Sequence, residues 1–146
     1  MTPSEFVDLA HRLAEADDSG AAGYRSAISR AYYGAYLSAK ALVEGLQIPC
    51  RAKDRTSDHM LLQKYLINCQ VPLAVELGYL LSNLQEARKK ADYEMNLADV
   101  EQQDESKLSV ARAFAILSKI EDCHPVAIKQ KLKAGITQYR QANKMI

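Results

Sequence analysis

YRSAISRAYYGAYLSAKALVEG, Tyr24 to Gly45, is the stretch that decides the fold. Ala27, Ala31, Gly34, Ser38, Ala41 and Gly45 recur at steps of four and three, so on a helix they form a narrow stripe where another backbone can come close. Beside it Ile28, Tyr32, Ala35, Ala39, Leu42 and Leu46 make a bulkier stripe that would fill a core. A third face mixes charge with large side chains: Arg30, Tyr33, Leu37, Lys40 and Glu44. Two apolar faces and one amphipathic face describe a central helix touching several neighbours.

Punctuation on either side divides the chain into further helices. Thr2-Pro3-Ser4-Glu5 reads as a capping box with proline at the first helical position, and Phe6, Leu9 and Leu13 follow at helical spacing until Asp17 to Gly20 stops the run. The central helix runs from about Ala21 to Gly45 and gives way to an extended loop carrying Arg51, Lys53 and Arg55. Thr56 or Ser57 can cap a third helix, with Leu62, Tyr65, Leu66 and Cys69 on one face. From Pro72 the series Leu73, Leu77, Leu80, Leu84, Ala87 and Ala91 holds the helical rhythm and delivers Arg88, Lys89 and Lys90, then Asp92 and Tyr93, at its end. A fifth helix carries Val110, Phe114 and Leu117, and His124-Pro125 breaks it. A last helix at about 126–143 has Ile128, Leu132, Ile136 and Tyr139 on one side. No alternation at strand period is sustained. The expected fold is all-α, an antiparallel bundle of five or six helices with the second and fourth as its long spine, in one domain over residues 1–146.

Composition narrows the function classes. The 146 residues suffice for one ordinary core, and 48% hydrophobic with 25% charged residues is the balance of a globular domain. The longest apolar run, Val71 to Ser82, contains Glu76 and falls short of a membrane span. The MTPSEF start has neither basic lead nor apolar core, which reads against a secretion signal. Cys50, Cys69 and Cys123 are odd in number and widely spaced, as expected of reduced thiols in a cytoplasm, and offer no zinc-binding pair. No metal site and no cofactor are expected. The net charge is only +1, yet the charges are segregated: Asp92 to Glu105 holds six carboxylates and no basic residue, while the last helix has Lys129, Lys131, Lys133 and Arg140 without a carboxylate. That basic helix is either a surface for phosphates or an acidic partner, or a solvated face.

Two motifs carry a resemblance. The Ser29-Arg30-Ala31-Tyr32-Tyr33 helix and the later segment ARKKADYEM, Ala87 to Met95, resemble the HEPN family, the higher eukaryote and prokaryote nucleotide-binding helical domains found with toxin-antitoxin and defence systems, over roughly residues 5–122. The resemblance implies a HEPN-like helical bundle and a homodimer whose cleft lies across a two-fold axis. HEPN ribonucleases place there an arginine, followed after a short spacer by a histidine. A guanidinium can bind the scissile phosphate in two-pronged fashion while an imidazole moves a proton to or from the ribose or leaving oxygen. Here Arg88 stands where the arginine should be, and the places for the histidine hold Tyr93 and Met95.

The resemblance therefore implies a binding or regulatory module with a degenerate nuclease motif. It would contact RNA or a nucleotide through Arg88, Lys89, Lys90, Arg30 and Tyr33, and pair with a nucleotidyltransferase or other operon partner. The alternatives are an active metal-free ribonuclease with a rearranged site, its catalytic candidates being Arg88, His59 and Tyr93, or a structural helical adaptor. Arg88 can bind phosphate or pair with Asp92 one turn on. His59 follows the basic loop, as a histidine often does in relatives, and can line the cleft, cap the third helix or hydrogen-bond across the core. In toxins of this group with a nucleotidyltransferase partner, a tyrosine just after the motif histidine is adenylylated, and Tyr93 loosely matches it. Tyr32, Tyr33 and Tyr36 could stack on bases, but Tyr32 belongs to the core stripe, which leaves Tyr33 as the exposed candidate.

Overall fold

The structure, a computed structural model, describes residues 1–53 and 56–146; Arg55, counted above with the basic loop, lies outside the described residues. The described residues form six α-helices in chain order: α1 Pro3–Glu15, α2 Gly20–Glu44, α3 Asp58–Ile67, α4 Pro72–Tyr93, α5 Gln103–Asp122 and α6 Val126–Ala142. A short 3-10 turn, Ala98–Glu101, lies between α4 and α5. No strand occurs among the described residues. The fold is a helical bundle, and no described helix is long and apolar enough to cross a membrane.

Local chemistry sets the helix ends. Pro3 and Pro72 each open a helix at a position whose N–H has no partner inside the helix. Glu5 accepts from the backbone N–H of Thr2, completing the expected reciprocal cap. Of the two cap candidates for α3, Ser57 is the one used: its hydroxyl accepts from Met60 N at 3.1 Å. The acidic stretch is not one linker. Asp92 belongs to the last turn of α4, and Asp104 and Glu105 lie in the first turn of α5, where carboxylates suit the positive end of the helix dipole.

α2 packs against α1, α4 and α5 and touches α3. Its small stripe meets α1: a Cβ on Gly34 would lie 2.4 Å from Val7 Cγ2 and 2.9 Å from the Pro3 carbonyl oxygen. Its bulky stripe, including Ile28, Tyr32, Ala35 and Ala39, is buried. Neighbours in the same chain thus cover both apolar faces of α2. α2 and α4 run antiparallel. Arg25 near the start of α2 reaches Ala91 near the end of α4, while Tyr32 and Tyr33, two turns further along α2, meet Arg88, which lies earlier on α4. α6 closes the bundle near the end of α3, where a Cβ on Gly135 would lie 1.8 Å from the Cys69 carbonyl oxygen. All three cysteines are free and buried.

Candidate functional site

The α2/α4 seam brings the two motifs of the sequence together. Arg88 is 8% exposed, on the face of α4 turned to α2. Its guanidinium carbon sits 5.3 Å from the ring centres of both Tyr32 and Tyr33 and 6.0 Å from that of Tyr93. Such contacts contribute roughly 0.5–2 kcal/mol each, more when water is excluded. Asp92, one turn on, accepts from Arg88 Nη1 at 3.5 Å, and its other contact is the Ser29 hydroxyl at 3.2 Å. The local salt bridge read as an alternative role for Arg88 is thus present, though it is long. Arg88 Nε is buried without a hydrogen-bond partner, so the guanidinium retains an unused donor.

His59 belongs to the same cluster. It lies in the first turn of α3, half-buried, its ring stacked on Tyr36 with centroids 3.9 Å apart. Its Nδ1 is 2.6 Å from the Tyr32 hydroxyl, and Tyr32 is also one of the rings beneath Arg88. Of the three roles read for His59, capping is taken by Ser57, and the hydrogen bond across the core is made. Burial and the positive charge of Arg88 hold the imidazole below its ordinary value of 6.5, so it is neutral at neutral pH. Burial pushes the Tyr36 hydroxyl up to about 12 and the Tyr32 hydroxyl higher still, so both keep their protons. When the imidazole proton sits on Nδ1 and is shared with Tyr32, Nε2 carries a free lone pair.

The remaining candidates divide by position. Lys89 and Lys90 are exposed at the end of α4, with Lys89 3.4 Å from Glu86. Tyr93 is 72% exposed. Tyr33 is half-buried, edge-on to His59 and under Arg88, so it is less open than its place on the amphipathic face suggested. Tyr32 and Tyr36 are core residues and cannot form a stacking platform. Arg30 is exposed, but its guanidinium lies over α1, 5.7 Å from the Phe6 ring centre, and is not part of the Arg88 cluster. His11 is edge-on to Phe114, and His124 lies 3.5 Å from Glu121; neither joins the site. No group of His, Cys, Asp and Glu suited to a metal occurs among the described residues.

Arg25 organises the site from below and carried no separate expectation. It is 9% exposed and donates to the carbonyl oxygens of Ala91, Glu94, Met95 and Leu97 at 2.9 to 3.1 Å. It also pairs with Glu101 at 3.0 Å. One cation thus satisfies the Ala91 carbonyl in the last turn of α4 and the Glu94 carbonyl at its cap, opposes the negative end of the helix dipole, and ties down the following Met95 and Leu97 backbone and the 3-10 turn. The signal that could have found it is an arginine on a helix whose neighbouring positions, Tyr24 and Ala27 to Ile28, are apolar.

The geometry joins an under-satisfied arginine, a neutral histidine and two exposed lysines around three tyrosines. It can hold an anion, and its one nearby imidazole is anchored through Nδ1. No family model, curated protein or solved structure matches this chain, so the family reading rests on the residues themselves.

Proposed function

We propose that the chain is a HEPN-like binding or regulatory module of a toxin-antitoxin or defence system, contacting RNA or a nucleotide at the Arg88 cluster. The single observation that carries this reading is Arg88 itself: a buried cation with an unused Nε donor and a long ion pair, next to the exposed Lys89 and Lys90. A phosphate bridging Nε and an Nη donor of Arg88 makes two parallel charge-assisted bonds in place of the one long Nη1 contact with Asp92. The module acts as a homodimer with a partner such as a nucleotidyltransferase, as the family resemblance implies. Tyr93, at the exposed end of α4, is then within reach of modification by that partner.

A second reading, an active metal-free ribonuclease with a rearranged site, is favoured by one observation: Tyr32 links His59 to Arg88. The proton-transfer group that the Arg88 to Met95 segment lacks would then come from α3. The first reading is preferred because His59 is clamped between Tyr32 and Tyr36 instead of standing free near the exposed lysines.

Fluorescence anisotropy with a labelled single-stranded RNA across a salt series tests binding. The reading expects weak, salt-sensitive binding that declines further in a Lys89→Glu, Lys90→Glu double variant, whose changes are exposed and spare the fold. Binding that ignores both salt and these substitutions would remove the Arg88 end of α4 from the RNA contact.

A further inference from the structure

A second cationic site lies on the other side of α3, away from the Arg88 cluster. A cavity of about 770 Å³ opens between the loop before α3, α3 itself and the end of α6. Five cations line it, Arg51, Lys53, Lys64, Arg140 and Lys144, and no carboxylate side chain of a described residue does. None of the five forms an ion pair with a described carboxylate. In a chain of net charge +1 this is a concentrated positive field in a concave space, the arrangement that attracts a small anion.

The walls are also selective. The Arg140 guanidinium lies 5.9 Å from the ring centre of Tyr65, which positions it at the cavity wall, and its Nε is buried without a hydrogen-bond partner. Tyr65 meets Tyr139 edge to face with centroids 6.3 Å apart, and Leu61 and Met145 extend the apolar lining. The volume falls within the roughly 300–1,000 Å³ of small-molecule sites. Cations around an aromatic and aliphatic floor fit a ligand with a phosphate at one end and a flat or apolar body at the other.

We propose that this cavity binds a small phosphorylated organic molecule, held by Arg140 and Lys64 at its phosphate and by Tyr65, Tyr139 and Leu61 at its body. Arg51 and Lys53 of the basic loop and Arg140 near the end of α6, far apart in sequence, then share one purpose. The site is separate from the Arg88 cluster: the α3 residues His59 and Gln63 face Tyr32 and Gln85 of the α2/α4 seam, while Lys64 and Tyr65 line the cavity.

Isothermal titration calorimetry with ATP, inorganic pyrophosphate and adenosine tests it, on wild type, Lys64→Glu, Arg140→Gln and Lys107→Glu, the last an exposed α5 position outside both cationic sites. Saturable binding of ATP and pyrophosphate is expected, with none of adenosine. Loss of one charge-assisted contact should weaken ATP by about tenfold or more in Lys64→Glu and Arg140→Gln, while Lys107→Glu stays near wild type. Lys64 is exposed, so its variant keeps the fold and remains decisive even if Arg140→Gln unfolds. The proposal is overturned if neither phosphate compound binds, if Lys64→Glu binds ATP as wild type does, or if Lys107→Glu weakens it equally.

Discussion

Replacing Arg25 by alanine should be among the most damaging single changes in the molecule. The side chain satisfies four carbonyl oxygens at 2.9 to 3.1 Å and one carboxylate, and is 9% exposed. Breaking a buried charge pair costs about 3–5 kcal/mol. Glu101 is 34% exposed and regains some water, so the lower half of that range, about 3 kcal/mol, is expected here. A loss of that size lowers the folded-to-unfolded ratio roughly a hundredfold and the melting temperature of a domain this long by about 6–12 °C. Urea unfolding followed by circular dichroism measures it directly, with Arg25→Lys alongside. Lysine retains the charge but cannot spread it over four carbonyls and Glu101, and should recover less than half the loss. An Arg25→Ala variant within about 1 kcal/mol of wild type would refute the claim that this residue anchors the end of α4.

Gly135→Ala should destabilise by about 1–3 kcal/mol even though alanine is the better helix former, because its Cβ would meet the Cys69 carbonyl oxygen at 1.8 Å; hydrogen exchange should show the loosening concentrated in α6. His59 is held below its ordinary value when folded, so the unfolded chain binds the proton more readily. Stability should be full above pH 6.5 and fall as pH drops from there toward the folded value, and His59→Gln should flatten that slope in urea titrations at several pH values. Light scattering at micromolar concentration should return a homodimer; a single 16.3 kDa species would count against the two-fold cleft.

The helices were legible because their signals are local. Stripes at steps of three and four gave α2 and α4, proline and serine marked the openings at Pro3, Ser57 and Pro72, and His124-Pro125 marked the last break. The Arg88–Asp92 pair was also legible, since both lie on one helix a turn apart. What joins distant segments was not. Arg25 finds its acceptors more than sixty residues away, and no spacing rule points there. The Tyr32–His59 bond depends on where α3 docks, so three roles for His59 stayed open until Ser57 proved to be the cap. Gly135 could have been noticed as a glycine inside a basic helix, a position that commonly records close backbone approach.

A metal-free cleavage assay on total RNA and short oligonucleotides, with wild type, Arg88→Ala and His59→Ala side by side, bears most directly on the central claim. Absence of a free general acid or base typically costs a factor of about 100 to 10,000 in rate, so the wild type should leave RNA largely intact while binding it through Arg88. Robust cleavage by wild type that disappears in both variants, each shown to be folded, would contradict the binding-module account and make His59, held by Tyr32 beside Arg88, the catalytic imidazole of an active ribonuclease.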